Sequence, residues 1–312
     1  MNLSVRQLSE SDLPEADRIF RAAFGTFLGM PDPTTFGGDS DLVWTRWRAD
    51  PSAALGAFHD GVLVGSNFVT HWGSFSFFGP LSVRPDLWDQ GIARHLMEAT
   101  VPLLERDGGA LSGLMTFPNS PKHIRLYQRF GFWPQSLIAL FGRPVSTPAT
   151  NVAWRAFSQV SDRDLALSQC AWLTGEIFNG LDVRRDILAV ADQDLGDAVL
   201  IDDENGKLTA LAVCHTGAGS EAGSGSLFVK FAAVRPGPDR ASVLGQLLGA
   251  CDDLAVRRGA GTVTTGVNAA RHECYAQMLD AGFRVHMHGV AMLRPDSPGF
   301  NRAGVYVLDD WR

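Results

Sequence analysis

The chain contains 312 residues, a length that favours two domains of roughly 150 residues over a single core. Hydrophobic residues make up 45% and charged residues 20% of the sequence, which is ordinary for a globular protein, and the formal net charge of −7 argues against a nucleic-acid-binding surface. No window approaches the ~20 apolar residues of a membrane span, and residues 1–12 lack the apolar stretch of a signal peptide. We therefore expect a cytoplasmic protein with neither nucleic-acid nor membrane partners.

The first half of the chain reads as an alternation of strands and helices. Asp60-Gly61 separates two apolar runs, residues 55–59 and 62–72, and this dipeptide is a strong signal for a β-hairpin. A long apolar strand over Phe75–Val83 follows, in which Pro80 removes one ladder donor and predicts a bulge or splay. The pattern then predicts a helix over about 90–106, a strand over 109–117, a short helix that stops at Gly131-Phe132, and a final strand.

The second half repeats this order at a fixed offset. The tripeptide Val83–Pro85 recurs 151 residues later as Val234–Pro236, and the helix stop Gly131-Phe132 recurs at the same offset as Gly282-Phe283. Asn205-Gly206 supplies the corresponding hairpin turn. Matching landmarks in a matching order indicate a tandem duplication of one α/β unit.

A segment with two prolines marks the junction between the units. Arg143–Ala149 breaks both periodicities and is predicted to be the linker. We predict an N-terminal domain over residues 1–145 and a C-terminal domain over residues 150–312. At the end of the second domain, Tyr306–Arg312 alternates apolar residues and is predicted to pair as a closing strand.

The cysteines do not suggest a cross-link or a metal site. All four lie in the second half without C-x-x-C spacing, so we expect buried thiols. His286 and His288 share one face of a predicted strand, but the sequence places no third ligand beside them, so we expect no metal. The four cysteines are Cys170, Cys214, Cys251 and Cys274.

The strand-to-helix junction after Val83 has the composition of an anion site. Gly91 and Ala93 lie where the first turn of the following helix begins, and small residues there let a ligand approach the backbone. The unpaired N–H groups of a helix start bind anions such as a pyrophosphate. The alternative is that Gly91 only eases a tight turn. The segment matches neither the dinucleotide motif nor the P-loop motif.

The wider context of this loop resembles the cofactor-binding stretch of the GNAT acetyltransferase superfamily, in which V-x-P is followed by [Q/R]-x-x-G-x-[G/A]. Gly91 and Ala93 match the small positions, whereas Trp88 replaces the family's Gln or Arg. Asn119 after the next strand and the segment Tyr127–Phe132 match two further motifs of the family. The resemblance implies an α/β fold class with two tandem GNAT-like domains, each a central, mostly antiparallel sheet with flanking helices.

The resemblance further implies acetyl-CoA as the co-substrate and no metal cofactor. The amides of Asp89–Arg94 would hold the CoA pyrophosphate. The backbone of Leu81 and Val83 would pair with the pantetheine arm as with an added strand, and Asn119 would contact the pantetheine or the departing group. The cofactor-binding residues implied in this way are Leu81, Ser82, Val83, Trp88, Asp89, Gln90, Gly91, Ile92, Ala93, Arg94 and Asn119.

The resemblance implies catalytic groups as well. Tyr127 would give a proton to the departing CoA thiolate, and an amide near Leu81–Val83 would stabilise the oxyanion. Many relatives use a Glu on the long strand as the base, but Phe75–Val83 contains no carboxylate. His71 on the neighbouring hairpin strand is one candidate for the base, and a chain of water molecules is another.

Two segments would select the acceptor if the resemblance holds. One is the loop after the first helix, Gly25–Gly38, and the other is the helix that carries Trp44 and Trp47. These aromatic side chains could flank an apolar or cationic acceptor. They could equally belong to the core.

The second half lacks the groups that the first half keeps. We therefore expect a degenerate repeat that packs against the first domain and walls off the acceptor pocket. At the offset of 151 residues, the positions of Trp88, Gly91, Ala93 and Tyr127 hold Asp239, Ser242, Leu244 and Met278.

Together these features predict an N-acetyltransferase that transfers the acetyl group of acetyl-CoA to a primary amine of a small molecule or peptide, as a monomer or homodimer. The missing strand carboxylate leaves open a non-catalytic acyl-CoA-binding sensor or scaffold. A third alternative, a reaction with an acyl-carrier-protein thioester, would need a basic rim that the sequence does not obviously supply.

Overall fold

The computed structural model describes residues 3–146 and 152–312. Among these residues, the first half contains seven strands and four α-helices. The predicted hairpin around Asp60-Gly61 is confirmed, and both turn residues have positive φ, +49° and +83°. The elements of the first half are β1 (Leu3–Gln7), α1 (Leu13–Phe27), α2 (Val43–Ala49), β2 (Ala54–His59), β3 (Val62–Trp72), β4 (Phe75–Phe78), β5 (Ser82–Val83), α3 (Ile92–Leu104), β6 (Leu111–Thr116), α4 (Pro121–Gln128) and β7 (Trp133–Pro144).

The second half repeats the order of elements after the first hairpin. Its elements are β8 (Arg155–Ala156), α5 (Arg163–Ile177), α6 (Arg184–Asp192), β9 (Gly196–Asp202), β10 (Leu208–Gly217), β11 (Gly223–Val234), α7 (Arg240–Arg257), β12 (Thr262–Asn268), α8 (His272–Asp280), β13 (Arg284–Arg294) and β14 (Val307–Asp309).

Two predicted boundaries were wrong. The linker predicted over Arg143–Ala149 begins too early, because Arg143 and Pro144 belong to β7 and pair with β12. The rest of that segment from Thr147 onward lies outside the described residues. The predicted closing strand at the C-terminus is present but shorter, as β14.

The strand predicted over Phe75–Val83 is interrupted where Pro80 predicted a splay. β4 pairs with β3 on one side and in parallel with β6 on the other, whereas β5 pairs with β3. Gly79 and Pro80, which are joined by a cis peptide bond, separate the two strands. The break therefore opens a gap between β5 and β6.

A single mixed sheet runs through both halves, in the order β1-β2-β3-β4-β6-β13-β7-β12-β11-β10-β9-β8. Only β4–β6 and β11–β12 pair in parallel among the described strands, so the expectation of a mostly antiparallel arrangement is confirmed. The halves exchange their last long strands. β13 of the second half lies between β6 and β7, and β7 of the first half lies between β13 and β12.

The core is continuous across the junction of the halves. Trp72 of β3 packs edge-on against Phe231 of β11, with ring centroids 4.9 Å apart, and Phe75 of β4 lies 5.0 Å from Trp311. All four cysteines are buried and free, as expected. Within the described residues, no helix combines the length and the apolar character that crossing a membrane requires.

Candidate active site

A cavity of about 1100 Å³ opens at the break between β4 and β5. The first half supplies α1, the segment after α1, the start of α3, the end of β6 and α4 to its walls. The second half supplies Met287–Gly289 of β13, the residues Glu221 and Ala222 before β11, and the C-terminal Trp311 and Arg312. Both halves therefore build this site.

The start of α3 provides the open backbone that the sequence predicted. Gly91 precedes the helix with φ +83°, a conformation that favours glycine, and no atom lies within 4 Å of the place where a Cβ would sit. The first helical bonds are donated by the amides of Arg94 and His95 to the Gly91 carbonyl. The amides before Arg94 are therefore the unpaired donors of a helix start, at a position where Gly91 leaves room for a ligand.

Side chains around this helix start hold its shape and add positive charge. Trp88, which departs from the family pattern, donates its indole N–H to the Val83 carbonyl at 2.8 Å and so ties the loop to the end of β5. That carbonyl therefore already accepts one hydrogen bond from within the protein. Lys122 of α4 pairs with Asp89 at 2.5 Å, and Arg125 of the same helix and Arg129 just after it also line the cavity.

Some of the other predicted cofactor-binding residues line the cavity, and some lie outside it. Leu81, Ala93 and Arg94 line the cavity. Ile92 also reaches its wall, although the side chain is only 3% exposed and packs into the core. Ser82 is buried away from the cavity, whereas Gln90 and Asn119 are exposed and lie outside its lining.

Tyr127 lies at the end of α4, with its ring against the β4–β5 break. The side chain is 8% exposed, lines the cavity, and meets Phe78 edge-on with ring centroids 5.6 Å apart. Its hydroxyl makes no hydrogen bond to any other described residue. Burial raises the pKa of the phenol above its ordinary value. Tyr127 is therefore protonated at neutral pH and can donate to a group in the cavity.

The structure does not bring His71 into this site. The imidazole is 6% exposed within β3, its Nδ1 lies 2.9 Å from the Ser76 hydroxyl, and it is not part of the cavity wall. The expectation that it reaches the cleft was wrong, because its side chain projects from the strand into protein. Trp44 and Trp47 likewise pack in the core around α1, where Trp47 donates to the Leu8 carbonyl at 3.0 Å.

Sequence reasoning missed two polar residues of the cavity wall, Glu221 and His123. Burial alone would raise the pKa of Glu221, but Arg46 and Lys230 hold it well below its ordinary value. Burial and the neighbouring Lys122 lower the pKa of His123, whose ring lies 5.1 Å from that of Phe27. No motif marks either residue, since both are placed by tertiary contacts.

The corresponding gap in the second half is filled by the chain itself. β14 pairs with residues 231–233 of β11, which correspond at the 151-residue offset to residues 80–82. Gly266 permits the close approach, since a Cβ there would lie 2.2 Å from the Asp310 Cβ. Arg271, fully buried, holds Asp309 of β14 at 2.8 Å. A strand thus occupies the place that the first half leaves open.

Comparison with known proteins gives a match to one family model and a set of similar solved structures. Residues 16–132 match the model of the acetyltransferase (GNAT) family. No curated protein matches the chain.

Solved structures share the whole tandem architecture at low sequence identity. A Pyrococcus horikoshii protein described as a candidate acetyltransferase has a TM-score of 0.71 at 13% identity, with 100% of this chain and 95% of that chain covered. A GCN5-related N-acetyltransferase from Sphaerobacter thermophilus has a TM-score of 0.63 at 18% identity, covering 95% and 96%. A tandem GNAT protein from the clavulanic acid biosynthesis pathway has a TM-score of 0.58 at 14% identity, covering 94% and 98%. These likenesses show that the fold is a tandem GNAT fold.

Proposed function

We propose that the protein transfers an acetyl group from acetyl-CoA to a primary amine of a small molecule or peptide. Residues 16–132 match the model of the acetyltransferase (GNAT) family, whose fold supports acyl transfer from acyl-CoA. The observation that carries the proposal is the meeting of three features in one cavity. They are the open helix start at Gly91, the break between β4 and β5, and the Tyr127 hydroxyl.

Each feature suits one part of an acyl-CoA. The amides of Asp89–Ala93 would hold the pyrophosphate, with Lys122 and Arg125 adding positive charge nearby, whereas the Arg94 amide already donates to the Gly91 carbonyl. The pantetheine arm would lie in the gap between β5 and β6, against the backbone of Leu81. A backbone amide at this break would donate to the oxyanion as the amine attacks the thioester carbon.

Tyr127 would then serve the departing thiolate. The C–S bond breaks as the C–N bond forms, and the thiolate takes a hydrogen bond or a proton from the phenol. Burial raises the pKa of Tyr127, which lies above that of a thiol, so the phenol keeps its proton and donates a hydrogen bond to the thiolate. Full protonation of the thiolate then follows when the proton released by the attacking amine reaches it.

The proton of the attacking amine needs an acceptor other than His71. Both carboxylates in the cavity wall are engaged in ion pairs, Asp89 with Lys122 and Glu221 with Arg46 and Lys230. His123 lies one helical turn before Tyr127 and faces the same cavity, with a pKa lowered toward the neutral form. We assign it the role of the proton acceptor, in place of His71.

The test is CoA release across a panel of amines with the Tyr127→Phe variant. We expect kcat to fall about 100-fold with little change in the KM for acetyl-CoA. Tyr306→Phe is the matched control, since that tyrosine is also buried but lies in the second half, outside the cavity wall. Undiminished turnover would remove Tyr127 from the mechanism. Binding of acetyl-CoA without release in the presence of any amine would instead indicate an acyl-CoA-binding sensor.

A further inference from the structure

One side of the cavity is built from aromatic rings that the steps above do not use. Phe24 of α1 stacks on Phe36 with centroids 5.5 Å apart, and Phe27 lies 4.6 Å from Phe117 at the end of β6. Phe24 and Phe117, 6.2 Å apart, connect the two pairs. We call Phe24, Phe27, Phe36 and Phe117 the aromatic wall.

The aromatic wall is only partly covered by protein. All four rings are half-buried and line the cavity, and the neighbouring Leu28 is 45% exposed. The four rings lie on α1, on the segment after it and just after β6, so two parts of the chain that are distant in sequence converge on one space. An apolar surface that faces a pocket in this way is typical of a ligand site.

The charges around the cavity do not suit a cationic ligand. Asp89 and Glu221 are the two carboxylate side chains among the described residues that line it, and both are held by cations of the protein. Arg312 is likewise held, by Asp310 at 2.5 Å. No described side chain that lines the cavity is therefore a carboxylate without a cation of the protein, and burying a second ammonium group beside these pairs is costly.

We propose that the acceptor is an amine with an apolar, aromatic body, and not a polyamine or another polycation. The proposal rests on the transferase function argued above. The ring of the acceptor would pack against the aromatic wall, offset or edge-on, while its single amino group reaches the thioester at the β4–β5 break.

Three amines of different body test the inference with the full-length protein. The probes are 2-phenylethylamine, n-butylamine and 1,4-diaminobutane, each assayed for CoA release at saturating acetyl-CoA. We expect kcat/KM for 2-phenylethylamine to exceed that for n-butylamine about 10-fold, with 1,4-diaminobutane lower still. Preference for the diamine would overturn the inference and leave the transferase function standing. CoA release with another amine of the panel but with none of these three would also overturn the inference alone, whereas no release with any amine of the panel would contradict both.

Phe→Leu variants locate the effect. Phe24→Leu and Phe117→Leu should each lower kcat/KM for 2-phenylethylamine about 5- to 10-fold while changing that for n-butylamine less than about twofold. Phe58→Leu is the matched control, because Phe58 is 4% exposed in the same core region but does not line the cavity. An unchanged ratio of the two amines in both wall variants would refute the inference. So would a shift toward longer acyl-CoAs, since the rings would then face the acyl group.

Discussion

Glu221→Gln should cost far more stability than an ordinary Glu→Gln change, because two buried cations share this carboxylate. Glu221 accepts from Arg46 Nη2 and from Lys230 Nζ, both at 2.8 Å, and these three side chains are at most 9% exposed. Lys230 also lies 3.5 Å from Asp186. Two cations and two carboxylates therefore balance within one buried cluster, which joins α2 of the first half to the second half.

The size of the expected stability loss follows from this balance of charges. Without the Glu221 carboxylate, Arg46 and Lys230 face Asp186 alone and one positive charge is left buried without a partner. Removing one member of a buried pair costs about 3–5 kcal/mol, a large part of the roughly 5–15 kcal/mol by which folded proteins are stable. The exposed pair of Glu15 with Arg18, whose side chains are 36% and 59% exposed, supplies the comparison. Glu15→Gln should cost at most about 1 kcal/mol.

Urea unfolding of the two variants decides the matter. The midpoint for Glu221→Gln should fall well below that for Glu15→Gln at a similar m-value. Activity should fall as well, because Arg46 also donates to the Gly79 carbonyl at 2.6 Å and so fixes the β4–β5 break. Equal losses of stability in the two variants would refute the reasoning, since they would mean that the cluster is solvated or that it rearranges to regain neutrality.

Two further predictions concern the second half. Gly266→Ala should lose about 1–3 kcal/mol of stability and lower the rate of acyl transfer, because the added methyl group would collide with Asp310 and displace Trp311 from the cavity wall. Gly245→Ala is the control, since a methyl group there meets no close atom. Equal urea midpoints for the two variants would contradict the prediction. Burial lowers the pKa of His215 to about 4, so the unfolded chain takes up a proton below about pH 6.5 that the folded chain refuses. The free energy of unfolding should therefore fall by up to about 3 kcal/mol between pH 6.5 and pH 4. Urea titrations at several pH values should show a smaller dependence of this free energy on pH in the His215→Asn variant. An unchanged pH dependence in the variant would mean that His215 is not its source.

Local signals accounted for much of the fold and for the middle of the candidate site. Asp and Gly both tolerate the positive φ that a two-residue hairpin turn needs, so the dipeptide Asp60-Gly61 was enough to predict the hairpin. Pro80 cannot donate to a ladder, so the break between β4 and β5 could be expected. The helix start at Gly91 and the helix stop at Gly131, with φ +82°, are also settled by neighbouring residues.

Features that depend on distant contacts could not be predicted in this way. The sequence around His71 and the sequence around Tyr127 do not say which way either side chain points, yet His71 faces protein and Tyr127 faces the cavity. Glu221 lies in a Gly- and Ser-rich loop, and only the approach of Arg46, 175 residues away, makes it a buried anion. The aromatic wall likewise forms only because α1 packs near the end of β6, and no local sequence pattern predicts that contact.

The exchange of β7 and β13 ties the second half to the cavity of the first. β13 lies against β6, the strand that flanks the open gap, so the second half is not a separate unit. The second half also supplies Glu221, Met287 and Trp311 to the cavity wall. β14 fills the gap in the second half, and Trp311, two residues after that strand, completes the cavity wall of the first half, so one C-terminal segment does both. The second half is therefore a structural part of the cavity in the first half.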